Sequence, residues 1–169
     1  GLSLVGSEMC IRDRLILTLY FTFLAFGQIL SGPFSDKYGR KPILLLGASI
    51  YSISAFFASL SSNIEILLIL RCFQGFGAAA CLSVGRTILS DCYDIKEAAK
   101  EMSKMTAIMA IIPISCFILG GFLAEFLGWR TNLIALGLIS LILIIAISLY
   151  LNETLIKKAK SISFINMLV

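Results

Sequence analysis

The sequence predicts an all-α integral membrane protein, a bundle of five spanning helices. Of its 169 residues, 59% are hydrophobic, more than the roughly 45 to 50% of a soluble domain. Too little polar surface is available to cover a water-soluble globule. Four uncharged, mostly apolar windows run from Leu15 to Ser35, Ile43 to Ile64, Met105 to Ala124 and Thr131 to Asn152. Each is near or above the roughly 20 residues that a helix needs to cross about 30 Å of hydrocarbon. A fifth, Ile66 to about Ser90, is interrupted by Arg71 and Arg86. A repeat adds a third observation. Gly32-Pro33-Phe34-Ser35-Asp36-Lys37-Tyr38-Gly39-Arg40 and Gly121-Phe122-Leu123-Ala124-Glu125-Phe126-Leu127-Gly128-Trp129-Arg130 share one punctuation: Gly, three residues, acid, two residues, Gly, then Arg. Each closes an apolar run. The repeating unit is three spans, an odd number, so the second copy runs inverted, as in secondary transporters.

The charges give orientation rather than a partner. The chain carries a net +4, but its Lys and Arg residues are confined to short loops, which argues against a nucleic-acid face. With the Asp36 to Lys41 loop in the cytoplasm, alternation places Lys37, Arg40, Lys41, Lys96, Lys100, Lys104, Lys157, Lys158 and Lys160 inside. Arg130 is then the only clear loop cation outside, a strong positive-inside bias. The five cysteines form no C-x-x-C pair and histidine is absent, so no metal site and no Ser-His dyad is expected. No G-x-x-x-x-G-K-[ST] loop is present to hold a nucleotide. The expectation is no cofactor and no enzyme; an intramembrane protease would need a Gly-x-Gly-Asp motif that Tyr93-Asp94 lacks.

The same alternation puts residues 1–14 outside, where Arg12 and Arg14 break the charge rule. Ser3 to Arg14 resemble translated read-through of a transposon-based sequencing-library adapter, so 1–14 are set apart as a non-native leader. The other reading is a genuine short amphipathic leader. Residues 15–155 hold the spans. Residues 156–169, with Lys157, Lys158 and Lys160, begin a cytoplasmic loop, and the chain is expected to be part of a larger protein with at least one helix ahead of Leu15.

Along the chain, Asp36 to Pro42 form a very short connection. Gly39 can take the left-handed conformation that ends a helix, and Pro42 suits the first turn of the next. Asp36 precedes Arg40 by four residues, so their side chains meet if the stretch is helical. Arg71 in an apolar span needs a partner, water or a route to the headgroups. Gln74 lies one turn on. Gly77, Cys81 and Gly85, and likewise Gly75, Ala79 and Ser83, form two stripes of small residues that let helices approach closely. Arg86, Asp91 and Asp94 gather at the cytoplasmic end, ahead of a polar loop through Lys96, Glu97, Lys100, Glu101 and Lys104. Pro113 is expected to kink its helix, with neighbouring helices satisfying the freed carbonyl. Glu125 reads as an interfacial anchor.

At this point the motifs become specific. Gly32-Pro33-Phe34-Ser35-Asp36-Lys37-Tyr38-Gly39-Arg40-Lys41-Pro42, followed by Ile43 to Gly47, resembles the loop between helices two and three of the major facilitator superfamily. Arg71-Cys72-Phe73-Gln74-Gly75-Phe76-Gly77-Ala78-Ala79-Ala80 is similar to its helix-four motif. With Phe26-Gly27-Gln28, Arg86, Asp91, Gly120-Gly121, Gly128-Trp129-Arg130 and Glu153-Thr154-Leu155, the pattern is closest to the bicyclomycin-resistance type of drug/proton antiporter. The resemblance implies that 15–155 are helices two to six of the N-terminal six-helix half of a twelve-helix transporter. It implies a multi-pass protein of the bacterial inner membrane, with the bilayer, a small-molecule substrate, protons, and the first helix and C-terminal half of the same protein as partners. Arg71 and Gln74 would line the substrate and proton pathway. Gly32, Asp36, Lys37, Gly39, Arg40, Lys41 and Asp91 would form a cytoplasmic gate, with Pro113, Gly120 and Gly121 as the helix-five motif. That last motif departs from the Gly-Pro-x-x-Gly-Gly of antiporters: Cys116 and Phe117 replace its first Gly and Pro. The same fold also serves proton-coupled nutrient import, and an inactive helical fragment or scaffold is the reading from another class.

Overall fold

The computed structural model describes residues 2–151, with side chains from Arg14 onward. Five helices follow one another: α1 (Leu2–Tyr38), α2 (Arg40–Leu60), α3 (Ile64–Cys92), α4 (Ile95–Leu127) and α5 (Trp129–Tyr150). Each contains a stretch long and apolar enough to span a bilayer, and no strand occurs among the described residues. The expected leader lies on the same helix as the first span, and Glu153 to Leu155 and residues 156–169 fall outside the described residues.

Contacts at both ends of the bundle fix the alternation. Arg40 at the start of α2 pairs with Asp91 at the end of α3, and Lys41 Nζ donates to the Ser148 carbonyl near the end of α5 at 3.0 Å. At the opposite end, Arg130 of α5 donates to the Ser61 carbonyl just beyond α2. Lys37 and Arg130 therefore sit at opposite faces.

The repeated punctuation has a backbone counterpart. One glycine alone joins α1 to α2, and one alone joins α4 to α5. Gly39 has φ 107° and ψ 156°; Gly128 has φ 87° and ψ 156°. These are the only positive-φ residues described, and their amides bond back to the Ser35 and Ala124 carbonyls at 3.1 and 3.2 Å. Neither is the left-handed helical conformation expected for Gly39. With ψ near 156° both occupy the extended mirror region that is essentially restricted to glycine, because the chain must reverse direction within one residue. Pro42 stands in the first turn of α2 as expected, where its missing N–H costs nothing.

Helix α3 lies between α1 and α2, and its small residues explain how. A Cβ added at Gly75 would collide with the Tyr20 carbonyl of α1, and one at Gly27 of α1 would meet Ala79 Cβ at 2.6 Å. On the other side, a Cβ at Gly77 would come within 2.6 Å of the Gly47 carbonyl oxygen and 2.8 Å of the Tyr51 amide, both on α2. The two stripes thus seat two different neighbours. Gly85 departs from its stripe, since nothing lies within 4 Å of its added Cβ.

Helices α2 and α5 run antiparallel and exchange reciprocal buried bonds. Ser52 Oγ donates to the Gly137 carbonyl at 3.1 Å, and Ser140 Oγ to the Ala48 carbonyl at 3.0 Å. Helix α4 is different, with none of its apolar window buried and residues 110–119 exposed throughout. It runs unbroken through Pro113, and no described helix covers the segment where a neighbour was expected to satisfy the freed carbonyl.

Two boundaries differ from expectation. Helix α2 ends at Leu60, because Asn63 caps α3 by accepting from the Glu65 amide at 3.2 Å. The expected polar loop through Lys96, Glu97, Lys100, Glu101 and Lys104 is instead the start of α4. Its charges stand at helical spacing, and Lys104 pairs with Glu101 three residues back.

Packing at Gly77 is open to test. Gly77→Ala presses a methyl into α2 backbone that cannot turn aside, so a loss of about 1–3 kcal/mol is expected. Gly85→Ala meets open space and should be neutral or gain up to about 1 kcal/mol. Unfolding by SDS titration in bicelles measures both.

Candidate functional site

Two polar clusters stand out against the apolar helices. The first is built on Arg40, whose side chain is only 7% exposed. The single-residue turn at Gly39 brings the start of α2 back onto the last turn of α1. There Arg40 Nη1 meets Asp36 Oδ1 at 2.5 Å and donates to Ser35 Oγ at 2.6 Å, while Nε donates to Asp91 Oδ2 at 3.0 Å. Ser35 is itself fully buried and donates to the Gly32 carbonyl at 2.8 Å. One guanidinium therefore ties the ends of α1, α2 and α3 together.

Burial is unequal across this cluster. The Asp36 and Asp91 side chains are 49% and 32% exposed, so either carboxylate can regain water while the guanidinium cannot. The remaining sequence-predicted residues of this end are arranged around it. Lys37 is exposed and stands 5.2 Å from the Tyr38 ring centroid, and Lys41 bonds to α5. Gly32 faces open space. Arg86 and Asp94 are exposed, and Asp94 occupies the N-cap of α4 without a side-chain bond.

The second cluster lies deeper. Arg71 is seven residues into α3, about 10 Å from that helix end at 1.5 Å per residue. Rather than reaching for the headgroups, its Nη1 donates to Gln74 Oε1 at 2.8 Å. Gln74 is 1% exposed. The Tyr20 phenol of α1 and the Tyr51 phenol of α2 lie within electrostatic range of the guanidinium, and Cys116 of α4 is within range of Tyr51. Two buried donors, Arg71 Nε and Gln74 Nε2, have no hydrogen-bond partner. On the opposite face of α3, Phe23, Ile50, Ile69, Cys72, Phe73 and Phe76 line a wholly apolar groove of about 470 Å³, which α3 separates from the polar cluster.

The helix-five residues Pro113, Gly120 and Gly121 join neither cluster. Gly120 serves instead as an anchor point, its carbonyl accepting from Asn132 Nδ2 of α5 at 3.0 Å. Three residues were missed from sequence as members of these sites: Ser35, Tyr20 and Tyr51. Tyr51 carried a legible signal, being a polar group in the middle of an apolar window and away from the interfacial belts where tyrosine is common.

The unequal burial around Arg40 makes a stability prediction. The double variant Asp36→Ala/Asp91→Ala strips both carboxylates from a buried guanidinium, and a cost of about 3–5 kcal/mol is expected. Arg40→Met removes the buried charge and leaves two carboxylates that water can reach, for a smaller cost of about 1–2 kcal/mol. The same SDS titration reads the order, which is contradicted if Arg40→Met is the more damaging change.

Comparison with known proteins places this geometry. The sequence profile described as the Major Facilitator Superfamily matches residues 13–165. An MFS-type transporter of Bacillus subtilis, YdgK, is 36% identical over 144 residues, which are 84% of this chain and 36% of that protein. The bicyclomycin resistance protein homolog of Haemophilus influenzae is 30% identical over 82% of this chain and 35% of its own length. The chloramphenicol resistance protein of Pseudomonas aeruginosa is 35% identical over 74% of this chain and 30% of its length. The chain spans about a third of the length of these relatives. With five membrane-spanning helices and this match across most of its length, the chain belongs to the major facilitator superfamily.

Proposed function

We propose that residues 15–155 are helices two to six of the N-terminal half of a twelve-helix exporter in the bacterial cytoplasmic membrane. The complete protein would expel drug-like amphiphiles in exchange for protons by alternating access. Its partners would be the small-molecule substrate, protons, and its own first helix and C-terminal half. Relatives bearing the names of bicyclomycin, chloramphenicol and multidrug resistance support export over nutrient uptake.

The observation that carries the reading is the Arg40 clasp. A gate must hold one face closed and then release it, which calls for a fixed element and exchangeable partners. The buried Arg40 supplies the first, while Asp36 and Asp91, on separate helices and partly in water, supply the second. Rocking of α1 or α3 changes which carboxylate the guanidinium meets. Arg71 and Gln74, toward the other face, supply polar groups along the path. Their face of α3 continues through Ala78 to Gly85, where open space begins.

Replacing Asp36 with Asn in the full-length protein keeps the side chain's size but removes the charge that Arg40 meets. Efflux is expected to fall at least tenfold with membrane insertion unchanged; wild-type efflux rules out the clasp as a gate. In proteoliposomes, addition of substrate should drive protons in the opposite direction, whereas movement in the same direction identifies an importer.

A further inference from the structure

The turn of α1 that carries Asp36 is set off from the rest of its helix. Pro33 stands inside α1, where it has no N–H to give the Ile29 carbonyl one turn back. Gly32 precedes it, and serines flank the pair: Ser31 Oγ donates to the Gln28 carbonyl at 3.2 Å and Ser35 Oγ to the Gly32 carbonyl at 2.8 Å. Proline, glycine and back-bonding serine are common causes of helix bending, and here all three fall between Ser31 and Ser35. Beyond them the Phe34 and Tyr38 rings stack at 6.1 Å across the final turn, which lets it move as one piece. Its far end joins α2 through Gly39 alone. The turn is thus bounded by a bending point on either side.

The parts around it are fastened. Ahead of Pro33, α1 is held to α3 where Gly27 meets Ala79 and the Tyr20 carbonyl meets Gly75. At the cytoplasmic end, Leu44, Val84 and Ile147 form a buried core with Ile88 packed against it, which joins α2, α3 and α5. Arg40 lies one turn before Leu44, and Asp91 about one turn after Ile88. The guanidinium and Asp91 are therefore carried on one apolar core, while Asp36 is carried on the turn beyond Pro33. Ser35 ties the two regions, since it accepts from Arg40 Nη1 at 2.6 Å while donating to the Gly32 carbonyl. Any change in the Arg40 contact acts directly on the bending point.

We infer that the last turn of α1, from Phe34 to Tyr38, is the moving leaf of the clasp, hinged at Gly32-Pro33 and strutted by Ser35, against a fixed frame made by the ends of α2, α3 and α5. This rests on the reading of the clasp as a gate and deepens it: Asp36 is the carboxylate that leaves, and Asp91 the one that stays. Hinges absorb a large backbone rotation at a few positions and leave the flanking helices intact.

Distances between paired nitroxides on the full-length transporter in nanodiscs test the hinge. Cys92, exposed at the end of α3, is kept as one label site and the other cysteines are replaced. Lys37→Cys on the last turn of α1 and Leu149→Cys near the end of α5, both at exposed positions, supply the second site in turn. Asp36→Asn opens the clasp without need of any transported compound. Residue 37 lies about 6 Å beyond Pro33, so a change of about 30° in the kink displaces it by about 3 Å. In Asp36→Asn the 37–92 distance should shift by about that amount, and the 92–149 distance should stay as in wild type. Ser35→Ala, which leaves both carboxylates in place, should give a smaller shift in the same direction. Adding Pro33→Ala restores the missing helical bond and should return the 37–92 distance to its wild-type value. A shift that survives Pro33→Ala overturns the hinge. Movement of the 92–149 pair, which makes α3 the mover, overturns it too, as does no change in either pair. Should Asp36→Asn fail to fold, Ser35→Ala with and without Pro33→Ala decides on the same terms. Efflux by Asp36→Asn answers the separate question: wild-type efflux together with the expected shift keeps the hinge and removes only its gating role.

Discussion

The position of α3 is set where its backbone touches α1 and α2 at Gly75 and Gly77, and the rest of the bundle is arranged around that contact. In lipid, two apolar helices gain nothing by leaving solvent, since hydrocarbon tails are as apolar as leucine. Close approach is what holds them, and only residues without a side chain allow the Tyr20 carbonyl on one flank and the Gly47 carbonyl on the other to come so near. With those two flanks occupied, Arg71 and Gln74 are left on the remaining inner face. The same placement carries Asp91, five turns further on, to the start of α2 where Arg40 meets it. Packing of small residues thus positions both polar clusters without any charged residue having to guide it.

A second set of contacts makes α2 and α5 one unit. Ser52 and Ser140 each donate to the other helix's backbone, Gly137 admits the Phe56 ring, and Lys41 and Arg130 close the two ends on the Ser148 and Ser61 carbonyls. Such interhelical bonds contribute modestly one by one, but five contacts spread along the whole length resist tilting. Helix α4 lacks this support. Asn132 holds its outer third at Gly120, while residues 110–119 are exposed throughout. Within this segment rigidity and looseness are therefore divided by helix, with α4 the element least constrained by its neighbours.

Much of this arrangement was legible in the sequence, and the reason differs by feature. The spans were readable because charge is costly in hydrocarbon, so uncharged windows mark them. The stripes of α3 were readable because small residues recur at helical spacing. The meeting of Asp36 and Arg40 followed from their four-residue separation. Asp91 could be placed at the same end by its charge, and in one network with Arg40 only through the family resemblance, because nothing in a 51-residue separation encodes the distance between two helix ends. The early start of α4 was hidden because hydropathy detects lipid exposure and not helicity: Lys96 to Lys104 are polar and helical at once. Tyr20 was hidden because a phenol toward the end of an apolar run reads as another interfacial aromatic until α3 brings Arg71 within electrostatic range.

The two glycine links show how far the internal repeat extends. Gly39 and Gly128 share nearly the same dihedral angles and the same backbone bond to the residue four before them, so the turn itself is duplicated at opposite faces. The charges are not duplicated. Arg40 follows its glycine directly and is drawn under the end of α1, where Asp36, Ser35 and Asp91 surround it. Arg130 follows one residue later, which rotates it by about 100° on the new helix. It stacks near the Trp129 ring and reaches only the Ser61 carbonyl at 3.5 Å, and no ion pair with Glu125 forms. A single inserted residue therefore separates a buried three-helix clasp from an exposed contact. The backbone symmetry supplies two equivalent turns, and the placement of one arginine decides which of them gathers the ends of three helices.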